Sequence, residues 1–296
     1  MNQWRNESIK AVAVVGAGTM GHGIAQVLVK SGFSAVLQDV AAKILDAAKE
    51  RIGKGLARDV EKGRMTAEQR EQALNRLKTT TEVKDLAGVE FAIEAVVENF
   101  ETKQSVLRAL EPVVREAKPD AILASNTSSI SITKLAAQTR RPERFVGLHF
   151  FNPVPMMKLV EVVPGLQTAP ETVKAAEDMA TAVGKTPIRV NDYPGFVSNR
   201  VLMPMINEAA YCVMEGVADA PAVDGVMKLG MNHPMGPLEL ADLIGLDVCL
   251  DIMKVLYEGF HDSKYRPCPL LEKMVAAGRL GRKTGRGFLD YSAAKQ

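Results

Sequence analysis

The sequence predicts an α/β, Rossmann-type domain over residues 1–190, followed by an all-helical C-terminal domain over residues 191–296. Three observations support this. Apolar runs of strand length alternate with helical patterns in the first part of the chain, and the first run leads into a glycine-rich turn. After residue 196 the patterns are helical, with one candidate strand at 287–291. Between the two parts, the segment Asn-Asp-Tyr-Pro-Gly at 191–195 is a strong turn signal and marks the predicted boundary.

Composition excludes several classes of protein. The chain has 296 residues, 47% of them hydrophobic and 24% charged, which is ordinary for a globular protein. A net charge of +2 gives no reason to expect nucleic acid as a partner. No stretch is apolar enough to span a membrane, and the polar first ten residues contain no signal core, so we expect a cytoplasmic protein. The cysteines have neither metal-ligand nor disulfide spacing, so no metal site is predicted: Cys212, Cys249 and Cys268.

The first predicted strand, Ala11–Val15, is continuously apolar and runs into the pattern G-x-G-x-x-G, which opens a helical pattern. In this context the first glycine makes the tight turn, the second lets the backbone approach a pyrophosphate, and the third packs the helix on the strand. The helix N-terminus then receives the pyrophosphate of a dinucleotide. The predicted cofactor-binding residues of this loop are Gly16, Gly18, Thr19, Met20 and Gly21.

The second predicted strand, Ser34–Gln38, ends in Asp39, which lies 18 residues after Gly21. A carboxylate at this place accepts hydrogen bonds from the two ribose hydroxyls of NAD and repels the 2′-phosphate of NADP. The sequence therefore predicts NAD as the cofactor.

Residues 41–77 are predicted to be mostly helical, with a basic run at Lys54, Arg58, Lys62 and Arg64. This run is either a solvated helix face or a surface that binds phosphates, and the residues alone leave the two interpretations open.

Polar residues follow the next predicted strands. Glu98 comes directly after the strand at 91–97 and precedes a helix at 102–116. Asn126 and Ser128 follow the strand at 121–124. Because ligands bind beyond the carboxyl ends of strands in an open α/β sheet, these side chains should meet at one edge. For Ser128, an N-cap of a helix at 130–137 is an equally good interpretation.

A hairpin carries the predicted chemistry. The apolar strands Phe145–Phe150 and Leu159–Val163 flank a segment in which Asn152, Pro153 and Pro155 force a turn. Folding back about Pro155 brings His149 close to Glu161. A carboxylate that holds one ring nitrogen prepares the imidazole to act as a general base near neutral pH. The alternative is a partly buried histidine with no catalytic role.

The rest of the chain is predicted to contain a helix at 170–183 and a strand at 186–190, followed by helices at 197–215, 220–229, 237–257 and 270–277. Asn199 opens the first of these last helices. Its amide is either a donor to a substrate carbonyl or a capping group.

With these features in order, the sequence resembles the L-3-hydroxyacyl-CoA dehydrogenase family, in its short bacterial form that acts on 3-hydroxybutyryl-CoA. The resemblance covers nearly the whole chain. Its motifs are Val15–Gly21, Glu94–Glu98, Ser125–Ser129, His149–Pro153, Lys158–Val163, Pro194–Phe196, Ser198–Arg200, Met235–Pro237 and Gly281–Phe288.

The resemblance implies a role for each site residue. His149 is the general acid/base and Glu161 orients it, while Ser128 and Asn199 bond the substrate oxygens with support from Asn152. Three residues are implied to lie along the NAD cofactor: Glu98, Lys103 and Asn126. Two more are implied to meet the phosphates of the coenzyme A thioester: Lys54 and Lys62. The family also dimerises through its helical domain, which implies a homodimer.

Two rival interpretations stay open. The first is a dehydrogenase of a free hydroxy acid or sugar acid, which turns over substrate without a thioester. The second is a protein that binds NAD without catalysis.

Overall fold

The computed structural model describes residues 9–292. Residues 1–8, which include most of the segment used to argue against a signal peptide, lie outside this described part. The chain divides into two compact units with the boundary between Asp192 and Tyr193, inside the turn predicted at 191–195.

The first unit is built on an eight-stranded sheet with the order β3-β2-β1-β4-β5-β6-β7-β8. Its strands are β1 Ala11–Val15, β2 Ser34–Gln38, β3 Leu77–Thr80, β4 Phe91–Glu94, β5 Ile122–Ser125, β6 Phe145–Phe150, β7 Leu159–Val163 and β8 Thr186–Arg189. Pairing is parallel from β3 through to β6, antiparallel between β6 and β7, and parallel again between β7 and β8. The order of the first six strands is that of a dinucleotide-binding fold, and it reverses direction between β1 and β4.

Among residues 9–192, six α-helices pack with this sheet: α1 Thr19–Lys30, α2 Ala42–Glu61, α3 Ala67–Asn75, α4 Phe100–Ala117, α5 Ile132–Ala136 and α6 Pro170–Ala182. The largest apolar cluster packs α1, α2 and α6 against the sheet, with Ile24, Leu56 and Met179 among its buried members. The central strands β1, β4, β5 and β6 are almost wholly buried because helices cover both faces of the sheet there, as in other parallel sheets. All six residues of β6 are buried, for example.

One strand of this unit was not predicted, and another was predicted too long. Residues 41–77 are mostly helical, as predicted, but the strand β3 that follows at Leu77–Thr80 was not identified. This strand was missed because it is a short edge strand, with Lys78 exposed and no fully buried residue. The strand predicted at 91–97 ends at Glu94, and Val97 is 67% exposed.

In the second unit, the described residues 193–292 form five further α-helices: α7 Ser198–Met214, α8 Ala220–Gly230, α9 Pro237–Ile244, α10 Leu246–Phe260 and α11 Pro269–Ala276. Met203, Leu246 and Leu271 belong to the apolar cluster that joins α7, α9, α10 and α11. The single helix predicted at 237–257 is divided in two. Gly245 separates the parts with a φ of 108°, a left-handed backbone value that interrupts a right-handed helix.

The strand predicted at 287–291 is absent from the described residues. Two isolated bridges occur instead, Gly281 with Arg286 and Arg286 with Asp290. The tail is held by Asp242, whose carboxylate accepts hydrogen bonds from the N–H groups of Phe288 and Leu289, both at 2.9 Å. The predicted class, a Rossmann-type α/β domain followed by a helical one, is confirmed. Among residues 9–292, no helix has the length and apolar character needed to cross a membrane.

Candidate active site

The glycine-rich loop between β1 and α1 is shaped so that side chains are excluded at two positions and space is left at a third. Gly16 has a φ of 99°, and a Cβ there would lie 2.7 Å from the carbonyl oxygen of Ala95. A Cβ on Gly21 would lie 1.7 Å from the carbonyl oxygen of Gly16. A Cβ on Gly18 would meet no atom within 4 Å. The loop is therefore packed against the protein at Gly16 and Gly21 and open at Gly18, where we expect its backbone to contact a ligand.

Gly18 is also the N-cap of α1, and Thr19 and Met20 are its first helical residues. The first N–H groups of an α-helix have no partner within the helix, and the helix dipole is positive at this end. No acidic residue lies in the first turn to compete with an anion. These residues fit the pyrophosphate of NAD, which the loop and the helix N-terminus would hold.

Asp39 is positioned beside this loop by the end of β2. One carboxylate oxygen accepts the N–H of Ala17 at 2.8 Å, and the other accepts the N–H of Ala41 at 3.2 Å. Asp39 is half-buried, whereas the next residue, Val40, is 89% exposed. Since each carboxylate oxygen can accept more than one hydrogen bond, Asp39 still has capacity to accept from ribose hydroxyls.

Glu98 organises the loop that follows β5. Its Oε1 accepts from the hydroxyl of Thr127 at 2.6 Å, from the N–H groups of Ser128 at 2.7 Å and Ser129 at 3.0 Å, and from the Ser129 hydroxyl at 3.1 Å. The predicted capping role of Ser128 was wrong, because α5 begins later and Ser131 is its N-cap. The structure thus brings Glu98 and Ser128 together at the carboxyl edge of the sheet.

A buried ion pair lies beneath this loop. The Lys103 side chain is fully buried, and its ammonium lies 2.9 Å from Glu94 Oε1, 3.4 Å from Glu98 Oε2 and 3.1 Å from the carbonyl oxygen of Asn126. Burial raises the pKa of Glu94, although Lys103 and the hydroxyl of Ser125 oppose the shift. The ammonium of Lys103 is enclosed, and it is connected to the surface of the loop through Glu98, whose side chain is 38% exposed.

Glu94 and Ser125 were not among the predicted site residues. A charged residue inside the apolar run Phe91–Val97 is the signal that could have identified Glu94, since a buried carboxylate needs a partner. That partner, Lys103, lies nine positions further along the chain, on α4.

His149 and Glu161 face each other across the hairpin, and their predicted proximity is confirmed. They are directly paired in the antiparallel register of β6 and β7. His149 Nδ1 lies 2.7 Å from Glu161 Oε2, and the two side chains are only 7% and 3% exposed. An ionised carboxylate can only accept, so Nδ1 carries the proton and Nε2 is the nitrogen that can take up another. The ring also contacts Phe151, with centroids 4.5 Å apart.

The hairpin is tied to the neighbouring strand end by Asn126, whose side-chain oxygen accepts the N–H of Phe150 at 3.0 Å. Asn126 is thereby linked through its carbonyl to Lys103 and through its side chain to the residue next to His149. Asn152 is exposed in the turn that follows β6. Asn199 belongs to the second unit, where it is buried in the first turn of α7.

The basic run lies on α2 and its C-terminal end, away from the glycine-rich loop in sequence. Lys54 and Lys62 are both exposed, and Lys62 is the C-cap of the helix. The ammonium of Lys54 lies 2.5 Å from Glu50 of the preceding turn, and Arg64 pairs with Asp59 at 3.5 Å. Within residues 9–292 no group of His, Cys, Asp and Glu side chains could hold a metal ion.

Comparison with known proteins gives the family. The model of the NAD binding domain of 3-hydroxyacyl-CoA dehydrogenase matches residues 11–193, and that of the C-terminal domain of the same enzyme matches residues 195–291. A probable 3-hydroxybutyryl-CoA dehydrogenase of Deinococcus radiodurans is 55% identical over 94% of this chain and 99% of its own length. The 3-hydroxybutyryl-CoA dehydrogenase of Bradyrhizobium diazoefficiens is 53% identical, over 97% of each chain.

Among solved structures, the crystal structure of (S)-3-hydroxybutyryl-CoA dehydrogenase from Ralstonia eutropha has a TM-score of 0.93 and 49% identity. It covers 96% of this chain and 99% of its own. The family resemblance predicted from the motifs is confirmed, and so is NAD as the cofactor. The chain belongs to the 3-hydroxyacyl-CoA dehydrogenase family of NAD-dependent oxidoreductases.

Proposed function

We propose that this chain oxidises (S)-3-hydroxybutyryl-CoA to acetoacetyl-CoA with NAD, and catalyses the reverse reduction, with His149 as the general acid/base. The observation that carries the proposal is the buried contact of 2.7 Å between His149 Nδ1 and Glu161 Oε2 at the carboxyl edge of the sheet. The choice of substrate is supported by two relatives at 53–55% identity over nearly the whole chain, one named a probable 3-hydroxybutyryl-CoA dehydrogenase and the other a 3-hydroxybutyryl-CoA dehydrogenase.

In the oxidation, Nε2 of His149 takes the proton of the 3-hydroxyl group as the C3–H bond breaks. Bound NAD supplies the chemistry of a hydride acceptor. The imidazolium that forms is stabilised by the carboxylate of Glu161, and burial of both side chains keeps this attraction strong. In the reduction, the same Nε2–H returns the proton to the oxygen of the 3-keto group, so one histidine serves both directions.

Ser128 and Asn199 are assigned to hydrogen bonds with the substrate oxygens, and Asn152 to supporting them. The position of Ser128 supports its assignment. Its N–H donates to Glu98, and this hydrogen bond fixes the loop at the carboxyl ends of the strands. Glu98, Lys103 and Asn126 form one connected network beneath that loop. We assign this network to holding the nicotinamide side of the NAD site, while Lys54 and Lys62 are assigned to the phosphates of coenzyme A.

The test is the oxidation of NADH by the purified chain with acetoacetyl-CoA, longer 3-ketoacyl-CoA thioesters and free acetoacetate, each over a concentration series. We expect kcat/KM to be highest with acetoacetyl-CoA. Equal activity on free acetoacetate would replace this proposal by the dehydrogenase of a free hydroxy acid. Binding of NADH without turnover of any of these substrates would favour the non-catalytic protein.

Two further expectations stay predictions: a homodimer formed by the helical domain, which the family resemblance implies, and a place in the cytoplasm, which the polar first ten residues suggest. Light scattering of the purified protein tests the first, and cell fractionation tests the second.

A further inference from the structure

The turn between β6 and β7 packs into the protein although it is formed by eight residues outside the sheet ladder, 151–158. The N–H groups of Met156 and Met157 both donate to the carbonyl of Pro153, at 2.9 and 3.1 Å. Val154 is 2% exposed and belongs to the main apolar cluster of the first unit. The turn thus makes some of its backbone hydrogen bonds within itself, and Val154 anchors it to the apolar core.

Two carbonyl groups of this turn accept hydrogen bonds from one distant cation, Lys185. Its ammonium lies 2.5 Å from the carbonyl oxygen of Val154 and 2.8 Å from that of Met157. Lys185 is 8% exposed and directly precedes β8. The next residue, Thr186, donates its N–H to the carbonyl of Lys158 at 2.7 Å, so the same segment also holds the end of the turn.

Lys185 is unusual because its cation is neutralised by no carboxylate. Throughout residues 9–292, no Asp or Glu oxygen lies within ion-pair distance of its ammonium. Burial lowers the pKa of Lys185, and the nearby charge of Lys30 acts in the same direction. Burying an ammonium with two carbonyl oxygens as its acceptors costs desolvation free energy. An apolar side chain of similar size would fill the same space without that cost.

The same turn is fitted closely to the helix of the glycine-rich loop. A Cβ added to Gly23, in the second turn of α1, would lie 2.9 Å from Val154 Cβ and 3.2 Å from its Cγ2. The missing side chain of Gly23 therefore leaves the space that Val154 occupies. Through this contact the turn is set against the helix whose first residues are assigned to the cofactor.

We propose that Lys185 is a positioning residue for the His149–Glu161 pair: by holding the carbonyls of Val154 and Met157 it seats the turn on α1. The turn begins two residues after His149 and carries Asn152, so its seating determines where the imidazole lies relative to the helix α1. This inference rests on the proposed acid/base role of His149. Because proton transfer requires an approach within hydrogen-bond reach, a small displacement of the hairpin is costly to the rate.

The test compares Lys185→Met with Lys185→Arg and with a matched control, Lys174→Met, which removes an exposed lysine of α6 in the same unit. For Lys185→Met we expect kcat with acetoacetyl-CoA to fall by about tenfold to 10²-fold, the scale of a misplacement of about 1 Å. The KM for NADH should stay within about twofold of the wild type, since the glycine-rich loop is untouched. Lys185→Arg, which keeps a cation with several donors, should recover part of the rate, and Lys174→Met should lose none.

A second measurement does not depend on turnover. The ring nitrogen resonances of His149, assigned by comparison with His149→Gln, should shift in Lys185→Met and stay unchanged in Lys174→Met. An unchanged kcat together with unchanged ring resonances in Lys185→Met would overturn the proposal and leave Lys185 a purely structural residue. If Lys185→Met does not fold, Lys185→Gln takes its place with the same two readouts. A wild type that does not reduce acetoacetyl-CoA would refute the proposed function instead, while the resonances would still test the seating of the hairpin.

Discussion

Replacing Glu161 with glutamine isolates the charge of the His149–Glu161 pair. The amide has the shape of the carboxylate, and its oxygen can still accept the proton on Nδ1, so the tautomer of the ring can be retained. The variant loses the negative charge that stabilises the imidazolium formed when Nε2 takes the substrate proton. Since both side chains are nearly enclosed, water replaces little of this loss.

The magnitude follows from the geometry. With Nδ1 and Oε2 at 2.7 Å, the two charges are centred about 4 Å apart, and at an effective dielectric of ~20 their attraction is about 4 kcal/mol. At roughly 1.4 kcal/mol for each tenfold in rate, this is an upper limit of about 10³-fold, and half the attraction gives about 30-fold. We therefore expect kcat of Glu161→Gln to fall by about 30-fold to 10³-fold.

The assay is steady-state oxidation of NADH with saturating acetoacetyl-CoA, and NADH affinity is measured separately by fluorescence titration. His149→Gln, which removes the acid/base itself, should lose about 10²–10⁴ in kcat and keep its affinity for NADH. Glu116→Gln, a change of an exposed carboxylate on α4, is the matched control and should behave as the wild type. If Glu161→Gln turns over within about twofold of the wild type, the charge of Glu161 has no part in the mechanism.

Three further variants test other assignments, those of Ser128, of the basic run on α2 and of Asp39. Ser128→Ala should lose about 1–3 kcal/mol of transition-state binding if its hydroxyl meets a substrate oxygen, whereas an unchanged kcat/KM would exclude the hydroxyl from substrate binding. Changing Lys54 and Lys62 together to Ala should raise the KM for the thioester and weaken its salt dependence with little change in kcat, because exposed charges are screened by salt. If only the KM for NADH rises, α2 binds the dinucleotide and not coenzyme A. The wild type should prefer NADH to NADPH by more than tenfold in kcat/KM, since the repulsion between Asp39 and a 2′-phosphate is about 4 kcal/mol at ~4 Å and a dielectric of ~20. Changing Asp39 to Ser with Val40 to Arg should narrow or invert that preference, and equal use of both cofactors by the wild type contradicts the role of Asp39.

Local patterns were sufficient wherever the interacting residues are close in the chain. The strand–glycine–helix sequence from Ala11 to Lys30 largely determines its own turn, because Gly16 adopts a positive φ and Gly21 is required by the carbonyl of Gly16, five positions earlier. The pairing of His149 with Glu161 also follows from the sequence. The two residues are separated by one turn, and an antiparallel hairpin places residues at matching distances from its turn opposite each other.

The predictions that failed have two physical causes. The strand β3 exists because it can add to the edge of β2, and that pairing partner lies about 40 positions earlier in the chain. The break at Gly245 depends on where two helices must pack, and a glycine inside an apolar helical pattern does not reveal whether it will adopt a positive φ.

The sequence by itself therefore determined the class of fold, the glycine-rich loop and the hairpin that pairs His149 with Glu161, all of which arise from periodicity and from contacts across a single turn. Only the tertiary structure decided which charged side chains are buried and what they hold. Lys103 joins Glu94 to Glu98 beneath the loop after β5, and Lys185 holds the turn after His149. The family resemblance singles out Lys103 but not its burial, and nothing in the sequence singles out Lys185, because a charge is enclosed only when distant segments surround it and supply its partners.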